Sequence, residues 1–476
     1  MVWAVDTSAM RFLLLVLIIS CTKPNPNLCC TDKADCAAAK LPVGQTCDDG
    51  KVCRGNVCIE VSCGSSAECD LSAPYCVVDS CQESCTSDTE CPGFSQAAED
   101  RFCSSSACVE CRSGNDCSSG APTCNNGQCA RCTAHVQCAS GICTADGSCG
   151  LETSIAYVDL VGGPTTECTK AAPCSTIERA LALQPTRPYI VLRTGRYART
   201  GPLTIMDSRW LVGSGTPQPS LDRDDDGPIV LAQNAVNLRL ENLEISGATG
   251  PGANGPLMAG NGIYCRPAGG APMLTLRDVV VRNNAYTGIQ SSSCTLTIAR
   301  STFTQNFTGV FLQDSTAIID ATTFSNNETG ANLDSGLFTF TNNMVSRNSF
   351  VGVALYSTST ANKVEFNTFV DNAFASAVGA AFNCNLMTPT TFPNNIIARN
   401  RTATSGTNCT YPGSIIVDTD IAPLKFKQPD TAPYDYHLTA GSIAIDMATI
   451  STMDHDVDGD ARPKGAGRDV GADEAQ

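Results

Sequence analysis

Histidine and basic clusters are what this chain of 476 residues has least of. It contains only His135, His437 and His455, and its 31 lysines and arginines are scattered among 47 acidic residues, which leaves a formal net charge of −16. A protein that binds nucleic acid needs a basic face to neutralise phosphates, so this composition argues against nucleic acid as a partner. The shortage of histidine also argues against zinc sites of the Cys/His type.

The chain also lacks an apolar run long enough to cross a bilayer as a helix. Its longest run, within residues 10–20, follows a single arginine and has the length of the apolar part of a signal peptide, so we expect residues 1–20 to be an export signal. Residues 18–21 resemble a bacterial lipobox, which predicts lipidation of Cys21 and a tether over residues 21–28 that holds the protein at the outer membrane. The alternative is an ordinary signal peptide with Cys21 in a disulfide.

Cysteines are abundant but unevenly distributed. Of 29 cysteines, 23 lie between Cys21 and Cys149. This density favours disulfides in an oxidising compartment over zinc modules made of cysteine alone, because the recurring close thiolate pairs of such modules are missing. If Cys21 is set aside, 22 cysteines remain before residue 150 and six lie after it. Both numbers are even, as is required if every cysteine of each region is in a disulfide.

Residues 29–150 consist of cysteine-rich repeats. Four units, beginning at Cys63, Cys85, Cys111 and Cys132, each open with two cysteines separated by five residues. The residues between them are too polar to form a core, so crosslinks must replace hydrophobic burial. The segment is interpreted either as a rigid spacer or as a binding module, and three disulfide pairings are possible in each unit.

From residue 151 the pattern changes to short apolar runs separated by glycine and asparagine, which is typical of strands. One asparagine recurs at intervals of 23, 21, 21, 24 and 28 residues, at Asn283, Asn306, Asn327, Asn348, Asn372 and Asn400. Three short strands and their turns account for this spacing if each coil of a solenoid rises by ~4.8 Å. We therefore predict an all-β fold, a right-handed parallel β-helix over residues 151–476, rather than an antiparallel sandwich. The residues predicted to stack inward are Val280, Phe303, Phe324, Val345 and Phe369.

Both ends of the predicted β-helix carry further signals. Residues 175–178 form a capping box that predicts a short helix covering the first coil. Cys168 and Cys174 are expected to staple the loop before it. Pairs about one coil apart are expected to join neighbouring coils: Cys265 with Cys294, and Cys384 with Cys409.

Residues 156–197 and the C-terminal residues 438–446 and 456–474 resemble the pectin-lyase-like right-handed β-helix superfamily, in its secreted bacterial, anchor-associated form. This resemblance implies a surface protein that meets polysaccharide or another cell. The superfamily includes enzymes and non-enzymes, and none of the local motifs typical of pectate lyases or polygalacturonases is found in the sequence.

Two acidic sets have the alternating spacing of calcium loops, although neither has glutamate at the twelfth position. They are Asp222, Asp224 and Asp226, and Asp454, Asp456 and Asp458. Calcium is the only cofactor that the sequence suggests, and a polar turn is the alternative interpretation.

Aromatic residues follow the turn asparagines at Tyr286, Phe307, Phe350 and Phe374. They predict either a stacking strip for sugar rings or an interior aromatic stack.

The leading hypothesis for function is a non-catalytic, lipid-anchored surface protein that binds glycan or a cell-envelope partner along the β-helix. A polysaccharide lyase or glycoside hydrolase with a dispersed site is the alternative, and a structural coat protein is a third possibility.

Overall fold

The structure, a computed structural model, describes residues 51–54, 57–60, 75–77, 80–82, 85–91, 102–163, 167–223, 225–234, 236–250, 259–356, 359–375, 378–449 and 451–475. The predicted signal and tether, with Cys21, lie outside these ranges. The chain divides into two compact units, residues 1–138 with 143–149, and residues 139–142 with 150–476. None of the helices in the described ranges has the length and apolar character needed to cross a membrane.

The first unit is built from two-stranded antiparallel hairpins and short 3-10 helices. The hairpins pair Lys51–Arg54 with Val57–Glu60, Tyr75–Val77 with Ser80–Gln82, Phe102–Ser104 with Ala107–Val109, and Thr123–Asn125 with Gln128–Ala130. The 3-10 helices are Asp88–Glu90, Gly114–Asp116 and His135–Gln137. At the last hairpin, Asn126 and Gly127 both have positive φ, as the tight turn between twisted strands requires.

Disulfides hold this unit together in a regular order. In each of the three repeats whose cysteine side chains are described, the first cysteine joins the third and the second joins the fourth. The pairs are Cys85–Cys103, Cys91–Cys108, Cys111–Cys124, Cys117–Cys129, Cys132–Cys143 and Cys138–Cys149. Closing loops of this size restricts the unfolded chain by about 3 kcal/mol per bridge in the chain-entropy account, which compensates for the missing apolar core.

The second unit is a right-handed parallel solenoid of about ten turns, as predicted. Successive coils add strands to three parallel sheets, here called A, B and C. Sheet A contains Ile155–Gly163, Tyr189–Arg193, Arg209–Ser214, Asn237–Glu241, Met273–Arg277, Thr295–Ala299, Thr316–Asp320, Leu337–Thr341 and Lys363–Glu365. Sheet B contains Arg196–Arg199, Ser220–Arg223, Glu244–Ser246, Val280–Arg282, Thr302–Thr304, Thr323–Ser325, Met344–Ser346, Thr368–Val370, Ile396–Ala398 and Ile415–Val417. Sheet C contains Leu203–Ile205, Val230–Ala232, Ile263–Cys265, Thr287–Ser292, Thr308–Gln313, Thr329–Asp334, Val351–Leu355, Phe382–Thr391 and Thr404–Thr410.

One apolar column runs through the inside of sheet B. Its members in the best-registered coils are fully buried: Val281, Phe303, Phe324, Val345 and Phe369. The rings of Phe303 and Phe324 stack with centroids 5.1 Å apart. The prediction of Val280 in this column is wrong, because Val281 is the residue paired with Phe303.

A buried ladder of asparagines follows sheet B, at the turn toward sheet C. From Asn284 to Asn372, each side-chain amide donates to the side-chain carbonyl oxygen of the asparagine one coil later, at 2.9–3.1 Å. The members are Asn284, Asn306, Asn327, Asn348, Asn372 and Asn400. The prediction of Asn283 is wrong: it is exposed and has a φ of 54°, the left-handed conformation that precedes each buried asparagine. Three valines and two asparagines are consecutive in this coil, so the sequence pattern could not choose between neighbouring registers.

A second, shorter ladder at the turn from sheet A to sheet B was not predicted. The amide of Asn343 donates to Asn367 and that of Asn367 to Asn395, each at 3.0 Å. Ser301 and Thr322 occupy the equivalent positions in earlier coils, where their hydroxyls accept from the backbone. Polar turns therefore satisfy buried backbone groups at two corners of the coil.

A short helix lies near the first coil of the solenoid. The helix Ile177–Leu181 starts after Thr176, whose hydroxyl accepts from the backbone N–H of Arg179, and it buries Ile177 and Ala180. The cap residue is therefore Thr176 rather than Ser175. A 3-10 helix, Glu152–Ser154, precedes the first strand.

Three disulfides lie in this unit. Cys168 is joined to Cys174, Cys265 to Cys294 and Cys384 to Cys409.

The C-terminal segment packs on the later coils as a second apolar cluster. It contains a 3-10 helix, Ala422–Leu424, and an antiparallel hairpin of Phe426–Gln428 with Asp435–Leu438. Arg462 is fully buried and pairs with Glu474 at 3.2 Å, while it also donates to the carbonyl oxygens of Asp469 and Gly471.

We predict that Asn348→Ala lowers the free energy of unfolding by on the order of 3 kcal/mol, because several buried backbone and amide groups lose their partners at once. The side chain accepts from the backbone of Asn327 and donates to the carbonyl oxygens of Phe324 and Asn372. Urea unfolding followed by circular dichroism measures the change. Asn283→Gly is the matched control, since Gly retains the left-handed backbone and the side chain is exposed; it should cost less than about 0.5 kcal/mol. Equal losses in the two variants would contradict the ladder.

Candidate functional site

The first predicted calcium set lies only partly within the described residues. Asp222 is buried and forms an ion pair with Arg196, while Asp226 forms a backbone bridge with Thr249. Asp224 lies outside the described residues. Because one of its three ligands lies outside the described residues, this calcium set stays a prediction.

The second predicted set is wrong as a three-carboxylate calcium loop. Asp456 is fully buried, and its carboxylate accepts hydrogen bonds from the backbone N–H groups of Asp458, Asp460 and Glu474 at 2.8–3.1 Å. These bonds close a turn and anchor the C-terminus, so the central carboxylate of the set is already used by backbone donors. A polar turn, the alternative interpretation, describes its structure.

The other two carboxylates of that set contact different histidines. Asp454 binds Nδ1 of His455 at 2.8 Å, and Asp320 binds Nε2 of the same ring at 2.7 Å. Burial opposes the charged form of His455, but hydrogen bonds to these two aspartates raise its pKa above the ordinary value. Asp458 instead faces His437, at 3.2 Å from Nε2.

The four predicted aromatic residues lie on the outside of the solenoid, at or beside the turn from sheet B to sheet C. Phe307, Phe350 and Phe374 are 39%, 40% and 57% exposed, and the half-buried ring of Tyr286 stacks on Phe307 with centroids 5.6 Å apart. We call these four residues the aromatic strip. They do not form the interior aromatic stack that was the alternative interpretation.

One coil interrupts the aromatic strip with a carboxylate. Exposed Glu328 occupies the position between Phe307 and Phe350, as the backbone bonds from Thr329 to Phe307 and from Phe350 to Glu328 show. The strip is therefore aromatic on either side of a single negative charge.

A column of charged residues lies beside the later part of the strip. Arg347, Asp371 and Arg399 occupy the left-handed position that precedes the ladder asparagine in three successive coils, with φ of 57°, 57° and 50°. Because the next residue is anchored inside by the ladder, these longer side chains remain at the surface, one coil apart. The result is an alternating row of positive, negative and positive charge.

Only some of the charges in this row are paired with each other. Arg399 forms a two-pronged ion pair with Asp371, at 2.6 and 2.9 Å, and also contacts Asp430. Tyr436 donates its hydroxyl to the same Asp371 at 2.7 Å. The hydrogen bonds that Arg399 donates to Asp371 raise the pKa of Arg399. Burial, and then the bond to Asp371, raises the pKa of Tyr436.

Arg347 has a different environment. Its guanidinium lies over the ring of Tyr434, 3.8 Å from the centroid. Its Nε is buried and has no hydrogen-bond partner. Within the described ranges no carboxylate lies at ion-pair distance from Arg347 or from the exposed Arg401.

These side chains line an open cleft of about 370 Å³ between the sheet B turns and the segment 429–434. We call it the arginine cleft. Its lining residues are Arg347, Asp371, Asn372, Phe374, Arg399, Asn400, Arg401, Pro429, Asp430 and Tyr434. Three arginines face two aspartates, so the lining carries one surplus positive charge although the whole chain is acidic.

Sequence reasoning identified only part of this cleft. Phe374, Asn372 and Asn400 belong to predicted sets, whereas Arg401 and Tyr434 were missed. Arg401 directly follows a ladder asparagine and could have been found from that position. Tyr434 reaches the cleft only because the C-terminal segment folds back onto the coils.

Comparisons with known proteins agree with this architecture. Residues 261–420 match the family model described as right handed beta helix region. A search of curated protein sequences found no match.

A search of solved structures found matches of low sequence identity. The pectate lyase Pel9A is 15% identical, with 68% of this chain and 100% of that chain covered and a TM-score of 0.48. The A-module of the mannuronan C-5 epimerase AlgE4 from Azotobacter vinelandii is 16% identical, with 48% and 87% covered and a TM-score of 0.32. A pectin methylesterase from Aspergillus niger is 11% identical, with 57% and 88% covered and a TM-score of 0.26.

The family match lies within the coils whose strand order and asparagine register were described above. From the family model over residues 261–420 and the sheet topology together, we conclude that the second unit is a right-handed parallel β-helix.

Proposed function

We propose that this protein is a non-catalytic surface protein that binds an acidic polysaccharide along the aromatic strip and in the arginine cleft. The observation that carries the proposal is the continuity of the two features: Phe374 belongs to the strip and lines the cleft. The disulfides of the described residues indicate an extracellular or secreted protein, so polysaccharide outside the cell is an accessible ligand.

The aromatic strip supplies surfaces on which sugar rings can stack. Apolar faces of pyranose rings pack on aromatic rings, and half-exposed phenylalanines in a soluble protein are suited to that contact. Because the coils repeat at ~4.8 Å, the strip lies along the solenoid axis and can follow an extended chain of sugars.

The arginine cleft supplies the charge. A guanidinium recognises a carboxylate through two parallel N–H groups, and Arg401 has no carboxylate partner among the described residues. Arg347 is held in place by Tyr434, which orients its guanidinium without neutralising it. Each of these two cations can pair with a uronate carboxylate.

The net charge of the chain does not oppose this binding at short range. At physiological ionic strength the Debye length is about 8 Å, so distant carboxylates are largely screened from a ligand in the cleft. Glu328 lies on the strip itself, between Phe307 and Phe350, so we expect a carboxylate of the ligand to bind at the cleft end.

Binding rather than catalysis is favoured by the state of the cleft's carboxylates. General acid and base catalysis by carboxyl groups requires at least one that is free to exchange a proton with substrate. Among the described residues that line the cleft, Asp371 and Asp430 are the only carboxylates, and both are paired with Arg399. The cleft therefore has the charge for holding a uronate and lacks a free carboxylate to act on it.

We predict that Arg401→Gln weakens binding of polygalacturonate or alginate about tenfold, because one charge-assisted hydrogen bond contributes roughly 1.5 kcal/mol. Glu328→Gln should strengthen it roughly twofold at low salt and have no effect at high salt. Affinity electrophoresis at two salt concentrations measures both changes in affinity.

Arg179→Gln is the matched charge control, because Arg179 is an exposed arginine on the helix of the first coils. If Arg179→Gln and Arg401→Gln had equal effects, general charge rather than the cleft would bind the polymer. Release of unsaturated uronate by the unmodified protein would instead establish the lyase alternative.

We predict that Phe350→Ala weakens binding of the same polymers by roughly three- to tenfold, since it removes one stacking surface worth about 0.5–1.5 kcal/mol. The effect should persist at high salt, because stacking is not screened. Tyr356→Ala is the control: Tyr356 is 38% exposed but lies outside the strip. An unchanged affinity in Phe350→Ala would remove the strip from the binding surface.

We also propose that Cys21 is lipidated and that the cysteine-rich unit acts as a spacer between the membrane and the β-helix. The signal-like run and the cysteine parity in the sequence support this, and Cys21 lies outside the described residues. Cys21→Ser should release the protein from the membrane fraction into the medium. Intact-mass analysis should show a diacylglyceryl group on the unmodified chain, and its absence would leave an ordinary signal peptide.

A further inference from the structure

Three side chains from separate segments of the C-terminal region meet outside the arginine cleft. His437 lies on the strand Asp435–Leu438, Asp458 on the turn after Asp456, and Asp473 near the C-terminus. One ligand atom from each lies within 4.8 Å of the others.

The imidazole of His437 is oriented by a carboxylate on its other side. Nδ1 of His437 lies 2.5 Å from Asp435, and Lys427 holds the second oxygen of that carboxylate at 3.0 Å. This arrangement turns Nε2 toward Asp458. Metal-binding histidines almost always have such a partner on the other nitrogen, because it fixes the tautomer and makes the ligand nitrogen more basic.

The two carboxylates of the cluster differ in exposure. Asp473 is buried and one oxygen accepts from the backbone N–H of Leu438 at 2.5 Å, which fixes its position. The side chain of Asp458 is 56% exposed, which leaves one side of the cluster open to solvent.

We propose that His437, Asp458 and Asp473 bind a divalent transition-metal ion, with Zn²⁺ as the probe. One imidazole nitrogen and two carboxylate oxygens form a three-ligand set, and the fourth tetrahedral position faces solvent. Ca²⁺ is disfavoured because it takes six or more ligands and prefers oxygen alone. The acidic tail thus contributes one of its predicted ligands, Asp458, to a different site with different partners.

His455 provides a contrast within the same region. It also lies between two carboxylates, but Asp320 and Asp454 contact its two different ring nitrogens. Because these nitrogens point away from each other, the two carboxylates cannot converge on one ion with the ring. A histidine with two neighbouring aspartates is therefore not enough to form a metal site. At His437 the ligand atoms of all three side chains lie close to one another, which is the geometry that a metal ion requires.

Bound metal would join three segments that the backbone connects only at a distance. It would hold the strand that carries Tyr436, whose hydroxyl donates to Asp371 of the arginine cleft. Neighbouring side chains alternate faces along a strand, so the metal site and the cleft lie on opposite sides of this strand. The metal proposal does not depend on glycan binding and is tested without a glycan.

Isothermal titration of the full chain with Zn²⁺, after removal of metal with a chelator, tests the site. We expect saturable binding that is lost in His437→Ala and in Asp458→Asn and unchanged in His455→Ala. Asp435→Asn should weaken it roughly tenfold to a hundredfold, as loss of a partner to the ligand histidine does. Substitution with Co²⁺ should give visible absorption of a tetrahedral site, and Ca²⁺ in excess should not displace Zn²⁺.

The variants keep the test decisive even if one of them folds poorly. Asp458 is largely exposed and its replacement should leave the circular dichroism spectrum unchanged, so loss of binding in that variant reports the site rather than unfolding. No saturable binding in the unmodified protein, or equal affinity in the unmodified, His437→Ala and Asp458→Asn proteins, would overturn the proposal.

Discussion

The amide-to-carbonyl hydrogen bonds between asparagines of successive coils are the interaction on which the β-helix depends. A solenoid must turn its backbone at every corner, and those turns leave buried polar groups that strand pairing does not satisfy. From Asn306 to Asn372, each asparagine of the first ladder donates to a backbone carbonyl oxygen and to the next asparagine, and accepts from the previous coil. Asparagine is suited to this position because one short side chain offers both donor and acceptor.

The ladder also sets the arrangement of the outer surface. Since it fixes the residue at one position in each coil, the residues before and after it align in columns at ~4.8 Å spacing. The left-handed residue before the asparagine gives the row of Arg347, Asp371 and Arg399. The residues after it give the aromatic strip. Both features of the candidate site are therefore consequences of one internal register.

The C-terminal segment converts these columns into a cleft. Asp456 binds three backbone N–H groups and Arg462 is buried against Glu474, so the tail is held by polar contacts that leave few of its acidic groups free for a ligand. Breaking such a buried pair by removing one partner typically costs 3–5 kcal/mol, which indicates how firmly the tail is placed. With the tail in place, Tyr434 covers Arg347 and Asp430 contacts Arg399. These contacts enclose one side of the row of charged residues and form the arginine cleft.

The sequence by itself determined the fold class, the interval of the coils, the disulfide-rich character of the first unit and most of the inward columns, because each of these follows from periodic local patterns. It misassigned Asn283 and Val280 because adjacent identical residues satisfy the same pattern in either register. Only the tertiary structure decided which alternative was buried, which cysteines pair within a repeat, that the acidic tail closes a turn instead of a calcium loop, and that Arg401, Tyr434, His437 and Asp473 lie at sites. Those outcomes depend on contacts between segments far apart in the chain, and local periodicity carries no information about where a folded-back segment comes to rest.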